Sequence, residues 1–204
     1  ILEWIGEVLS GILFISPIAF PVSIICTATA LLLGIGSASN YNLEAGAGRN
    51  ERAAEIAGNG LAMLVICGVS IGAIVLIFLN PLLHLFGVTK EILPYAQDYT
   101  GITAIGIPFL ILTTGGNHLI RADRSPTYSM TCMLTGAILN TILDPLFIFV
   151  CHWGIKGAAA ATVIGQVVSG LMVIYYFSKK RKMELKRSMF LPKAGYLKMI
   201  VVRK

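Results

Sequence analysis

Asp144 stands in the apolar string LNTILDPLFIFV, four residues after Asn140 and directly before Pro145. No other acidic residue lies in the middle of a long apolar run of this chain. A carboxylate in hydrocarbon is costly and marks a functional site by default. Four residues is about one helical turn, so Asn140 and Asp144 share a face. Gly136 precedes them at the same spacing, which makes one polar stripe on an otherwise apolar helix. Pro145 has no N–H, so the carbonyl of Thr141 loses its helical donor. An acid, an amide and a freed carbonyl at membrane depth form a site for a small cation or a proton. That chemistry points to a transporter. The plainer alternative is a buried polar pair that glues two helices. An amide alone would serve as glue, so the added carboxylate favours the functional reading.

Other side chains extend the pattern. Thr162 and Gln166 lie one turn apart in the span 157–178. A threonine hydroxyl often bonds back to its own helix. If Thr162 faces Asp144 instead, it completes an oxygen-rich cage. Hard cations take oxygen ligands from carboxylate, amide, hydroxyl and carbonyl groups. Sodium suits such a set, and so does a proton, because burial disfavours a charged carboxyl. Asn117 lies near the inner end of the span 101–120, with Thr103, Thr113 and Thr114 on the same span. It either faces the same cavity or bonds to a neighbouring backbone. His118 reads as a solvated or capping histidine near the interface rather than a proton relay.

Enzyme readings find no support. An intramembrane aspartyl protease needs two acids, and the apolar runs hold one. No H-E-x-x-H string occurs, and His84, His118 and His152 sit on separate spans or loops. No catalytic residue is therefore named. Cys26, Cys67, Cys132 and Cys151 are scattered singly and read as small core residues, with no disulfide framework and no cysteine metal site.

These residues must be positioned by membrane helices. Hydrophobic residues make up 56% of the chain and charged residues 13%, against about 25% charged in soluble domains. Five stretches reach the roughly 20 apolar residues that a bilayer demands: about 12–36, 56–79, 101–120, 128–151 and 157–178. The fold class is all-α, a polytopic transmembrane bundle over 1–178, followed by a basic linker with a candidate interfacial helix over 179–204. Arg49 and Arg52, Arg121 and Arg124, and the run KKRKMELKR from Lys179 fall on alternate connectors. The positive-inside rule makes those connectors and the tail cytoplasmic. The net charge of +6 is then a topology signal rather than a nucleic-acid surface. Gly34, Gly36, Gly46 and Gly48 should break the first span into a turn-rich connector. A short interfacial helix is expected around 89–99, with Tyr95 and Tyr99 at headgroup level. Ser125-Pro126 should start the fourth span. Residues 1–10 read as an external loop, which leads to the expectation of a preceding helix and a larger protein.

The strings AFPV, LLLGIGSAS, IRADRSP, LNTILDPLFIF and GIKGAAAATVIGQ together resemble the multidrug and toxic compound extrusion (MATE) family, over about residues 10–190. The resemblance implies a cation-coupled antiporter, driven by Na+ or H+ and free of prosthetic cofactors, that exports amphipathic or cationic drugs from the cell membrane. It implies two six-helix lobes, with the present spans as helices two to six of the first lobe and a second lobe as partner. Asn140 and Asp144 then match the fifth-helix cation site, and Thr162 its sixth-helix threonine. Ala158 falls on a position that offers a backbone carbonyl, and Asn117 on a fourth-helix asparagine near the substrate cavity. Two alternatives stand beside this reading. A related flippase for lipid-linked oligosaccharides would want several cationic side chains to meet phosphate. A non-transporting remnant or assembly subunit would not need the polar site.

Overall fold

The computed structural model describes residues 2–88 and 92–180, with side chains over 20–88 and 92–179. These residues form six α-helices: α1 (Leu2–Gly46), α2 (Asn50–Ile77), α3 (Leu79–Leu85), α4 (Leu93–Ala122), α5 (Pro126–Pro145) and α6 (Gly154–Tyr175). π-Helical turns extend α5 over Leu146–Val150 and α6 over Tyr176–Lys180. No strand occurs among the described residues. Five segments are long and apolar enough to cross a bilayer: Phe20–Gly46, Asn50–Ile77, Leu93–Ala122, Pro126–Val150 and Gly154–Lys179. The expected all-α membrane bundle is therefore the observed fold.

Local sequence explains the starts of several helices. Ser125 occupies the N-cap of α5 and Pro126 its first position, where a missing N–H costs nothing. Glu51 lies in the first turn of α2, as the helix dipole favours. Pro94 stands at the start of α4, whereas Pro108 lies inside it without ending it.

Three expectations are corrected. The glycines do not break the first span at Gly34: α1 continues to Gly46, and the turn is confined to residues 47–49. Gly34 serves contact instead, since a Cβ there would sit 2.5 Å from the Cα of Gly115 on α4. Helix also replaces the loop expected over residues 1–10, from Leu2 onward. The external connector forms its short helix earlier than expected, over Leu79–Leu85, and Leu93–Tyr99 belongs to the first turns of α4. Residues 89–91, and the tail over 181–204, lie outside the described residues.

α4 is the centre of the bundle, packed against α1, α2 and α6, while α5 packs chiefly on α6. Small residues set these distances. A Cβ on Gly68 would come 2.8 Å from the Cα of Pro108, and one on Gly165 would come 2.8 Å from the carbonyl oxygen of Gly136. Membrane helices without a hydrophobic drive associate by such close van der Waals approach.

Polar contacts fasten the two ends. At one end, the Tyr176 hydroxyl donates to the buried carboxylate of Asp123 at 2.6 Å, and Tyr41 from α1 reaches the same group. The last turns of α1, the α4–α5 turn and the end of α6 thus meet, which places Arg49 and Arg124 at the same end. At the other end, Lys156 pairs with Asp98 at 3.1 Å, and Gln97 donates to Asn80 at 2.6 Å.

Gly68→Val should lower the folded yield of detergent-extracted protein, at an overpacking cost of about 1–3 kcal/mol. Gly46→Ala, where a new Cβ meets nothing within 4 Å, should leave the yield unchanged. Size-exclusion profiles check both, and equal behaviour would contradict the packing.

Candidate ion and substrate site

Three helices carry polar stripes at one-turn spacing: Thr113, Asn117 and Arg121 on α4; Gly136, Asn140 and Asp144 on α5; Ala158, Thr162 and Gln166 on α6. Close contact of α5 with α6 at Gly136 and Gly165 lets the second and third stripes touch. The Asn140 amide nitrogen donates to Asp144 Oδ1 at 3.3 Å and to Thr162 Oγ1 at 3.3 Å. Thr162 in turn donates to the carbonyl of Ala158 at 3.0 Å. The structure thus brings together Asn140, Asp144, Thr162 and Ala158. Thr162 takes both roles foreseen for it, bonding back to its own helix and facing the α5 stripe. It meets Asp144 through Asn140 rather than directly.

The bonds from Asn140 lie just beyond the 2.7–3.2 Å usual for N–H···O. Both are therefore weak and open to replacement by a better ligand for Asp144 Oδ1. The acid sits two residues before the π turn, with Pro145 between them. Such turns interrupt regular helical bonding and occur frequently at functional sites. Here Pro145 removes the donor for one carbonyl, and Gly157 admits Phe147 of the turn at close range, since a Cβ on Gly157 would lie 2.9 Å from the Phe147 carbonyl.

A cavity of about 540 Å³ opens beside this group, lined by Asn117, Arg121, Asn140, Thr162 and Gln166 among others. Of the two placements open to Asn117, its side chain takes the one facing the cavity. Its Oδ1, the Thr113 hydroxyl and Gln166 Oε1 are buried with no hydrogen-bond partner. Asp144 is not part of the lining; Asn140 and Thr162 stand between it and the space. A smaller chamber of about 280 Å³ shares Leu110, Thr162 and Gln166 with the larger one.

Some of these placements differ from the sequence reading. Arg121 is more than a topology marker: its guanidinium donates to Ser129 Oγ at 3.1 Å and contacts Met133 Sδ at 3.4 Å, both on α5. Its position one turn after Asn117 was the available signal. Tyr99 turns inward and lines the smaller chamber, whereas Tyr95 is exposed. His118 lines the larger cavity. Asp123 and Tyr176 had no sequence signal, because they are 53 residues apart. Among the described residues no group of His, Cys, Asp and Glu could hold a transition metal.

The MatE family model matches residues 8–146. The chain belongs to the MatE family. The multidrug export protein MepA of Staphylococcus haemolyticus (strain JCSC1435) is 30% identical over 165 residues, covering 81% of this MatE chain and 36% of that protein. The FAD transporter of Shewanella oneidensis is 34% identical over 191 residues, covering 90% of this chain and 40% of that protein. Among solved structures, a crystal structure of MATE in complex with MaD3S superimposes with a TM-score of 0.89 at 29% identity, covering 98% of this chain and 45% of that one. The chain spans less than half the length of each of these relatives. Membership in the family, with five apolar spans, makes this a multi-pass membrane protein.

A double-mutant cycle with Asn140→Ala and Thr162→Ala should return a coupling energy of about 0.6 kcal/mol, and at most about 1.7. Unfolding in detergent measures it. Zero coupling would contradict the interhelical bond.

Proposed function

We propose that this MatE chain carries the ion-coupling site of an exporter for amphipathic or cationic drugs, with Asp144 as the group that takes Na+ or H+. One observation carries the reading. The acid accepts one weak bond from Asn140, which also reaches Thr162, beside a cavity whose lining residues Thr113, Asn117 and Gln166 carry unpartnered side-chain oxygens. Such acceptors favour a substrate rich in N–H groups over an anion. Asp144 adds negative charge without obstructing the space.

In the mechanism, a sodium ion or proton at Asp144 displaces the Asn140 amide from Oδ1. For sodium, Asn140 would turn its carbonyl inward, and Thr162 would offer its oxygen. Ala158 supplies the carbonyl that keeps the Thr162 hydroxyl proton out of the ion's way. The freed Asn140 shifts the α5–α6 contact, and the cavity beside it changes shape. Coupling then follows if ion and substrate prefer different arrangements of the lobe. Pro108 in α4 and Pro145 before the π turn are the flex points, since proline interrupts the bonding ladder. In the membrane the end holding Arg49 and Arg124 faces the cytoplasm. A second lobe of the same transporter would complete the path.

A second reading has one observation behind it. Arg121 lines the larger cavity and could meet a phosphate, and one relative is named an FAD transporter. A single cation set against several neutral acceptors makes this the weaker reading. The same scarcity of cations disfavours a lipid-linked oligosaccharide flippase. Retention of a polar site inside the bundle disfavours a non-transporting remnant or an assembly subunit.

In the protein expressed from its whole reading frame, Asp144→Asn should abolish gradient-driven drug efflux from loaded vesicles. Insertion should be retained, because removing a buried charge lowers the cost of burial. Thr162→Ala should reduce export only in part, as one neutral ligand among several. Export by Asp144→Asn at the unmodified rate would reduce Asp144 to helix glue. Transport of FAD that requires Arg121, without drug efflux, would favour the second reading.

A further inference from the structure

The smaller chamber has features that the larger cavity does not explain. It lies between α1, α4 and α6, with Phe20, Tyr99, Thr100 and Gln166 in its wall. Among the described residues no charged side chain lines it. Two side chains of its wall, Thr100 and Gln166, carry oxygens that are buried without a hydrogen-bond partner. Thr100 is 6% exposed. An unpaired buried oxygen costs about 1–3 kcal/mol, and these two side chains come from different helices.

Thr100 is not obliged to be unpaired. One turn later, Thr103 satisfies its hydroxyl by donating to the carbonyls of Tyr99 and Thr100 at 2.9 and 3.2 Å. Gln166 likewise has a built seat. A Cβ at position 106 would fall 2.2 Å from Gln166 Oε1, so Gly106 is what admits the carboxamide to this depth. Gln166 also borders the larger cavity and lies one turn from Thr162. Its side chain is the partition between the two spaces, and its three rotatable bonds allow that partition to move.

We infer that the smaller chamber is a second binding subsite, which takes the primary-ammonium end of a substrate whose body fills the larger cavity, with Gln166 and Thr100 as its hydrogen-bond acceptors. The inference rests on the exporter reading for the word substrate, but the chamber's selectivity stands separately from transport. A primary ammonium has three N–H donors and no acceptor. Thr100 Oγ1, and Gln166 Oε1 once the carboxamide swings off Gly106 into the chamber, take two of them, and the Thr162 oxygen, within the same wall, takes a third. The negative charge of Asp144, linked to Thr162 through Asn140, favours a cation over a neutral amide. At about 280 Å³ the chamber is smaller than the roughly 300–1,000 Å³ of a whole-ligand pocket. It therefore takes one end of a molecule. Gln166 is thereby a specificity-determining residue, separate from the ion-coupling group.

The test uses two probes of equal charge: dansylcadaverine, with a primary ammonium, and its N,N,N-trimethyl form, which has no N–H on the cationic nitrogen. Binding is followed by dansyl fluorescence in purified protein expressed from the whole reading frame. The unmodified protein should prefer the primary ammonium by about tenfold or more, the value of one or two bonds to a charged donor. Gln166→Met, close in size and without an acceptor, should bring the ratio of the two affinities close to one. Thr100→Val tests the other wall independently and should lower the ratio as well. Equal binding of both probes by the unmodified protein would overturn the subsite and leave water as its occupant, whatever export assays show. A ratio unchanged in both variants would overturn it too. Donor-selective binding without gradient-driven export would keep the subsite and sink the exporter reading. Failure of both probes to bind would overturn both.

Discussion

A single amide, Asn140, joins the acid of α5 to the hydroxyl of α6, and it reaches both because the two helices touch at glycine. A carboxylate surrounded by apolar helices is tolerated only with partners. Its nearest partner is one turn away on its own helix, which fixes the direction of the side chain. The next partner is on α6, and any spacer between the helices would break that contact. Gly136 and Gly165 remove the spacer, and the same device recurs where α4 meets α1 and α2. The polar site and the packing of small residues are therefore one problem.

In the proposed exporter, weakness in this contact would serve coupling. One bond of 3.3 Å holds the acid to Asn140 within α5, and a second of 3.3 Å carries Asn140 across to Thr162 on α6. In the proposed mechanism, the ion competes with an amide rather than filling an empty cage. Displacement then moves a helix contact and so carries information to the cavity. The π turn after Pro145 allows the end of α5 to adjust without unwinding the rest. At the far end, the buried Asp123–Tyr176 bond ties α6 to the α4–α5 turn.

The stripe of Asn140 and Asp144 was legible because helical periodicity alone puts residues four apart on one face. Thr162 was marked by its one-turn spacing from Gln166 and by the family resemblance, though its hydroxyl had two destinations and in the end serves both. Asn117 was ambiguous in sequence, since a buried amide looks the same whether it faces a cavity or a backbone. Arg121 was hidden by its location: an arginine beside a connector has a sufficient explanation in topology, and only packing shows its side chain reaching Ser129. Gly34 was misread because glycine weakens a helix in isolation, whereas in a tight bundle it is the residue that permits contact. The Asp123–Tyr176 pair, 53 residues apart, requires the fold before it can be seen.

The most direct test of the central claim is to count ions displaced when substrate binds. Purified protein in a weak buffer, with and without radioactive sodium, is titrated with a cationic drug while pH and bound sodium are followed. The account predicts release of a proton or a sodium ion as drug binds, and no release from Asp144→Asn. Undiminished release from Asp144→Asn, or drug affinity indifferent to both sodium and pH, would contradict it.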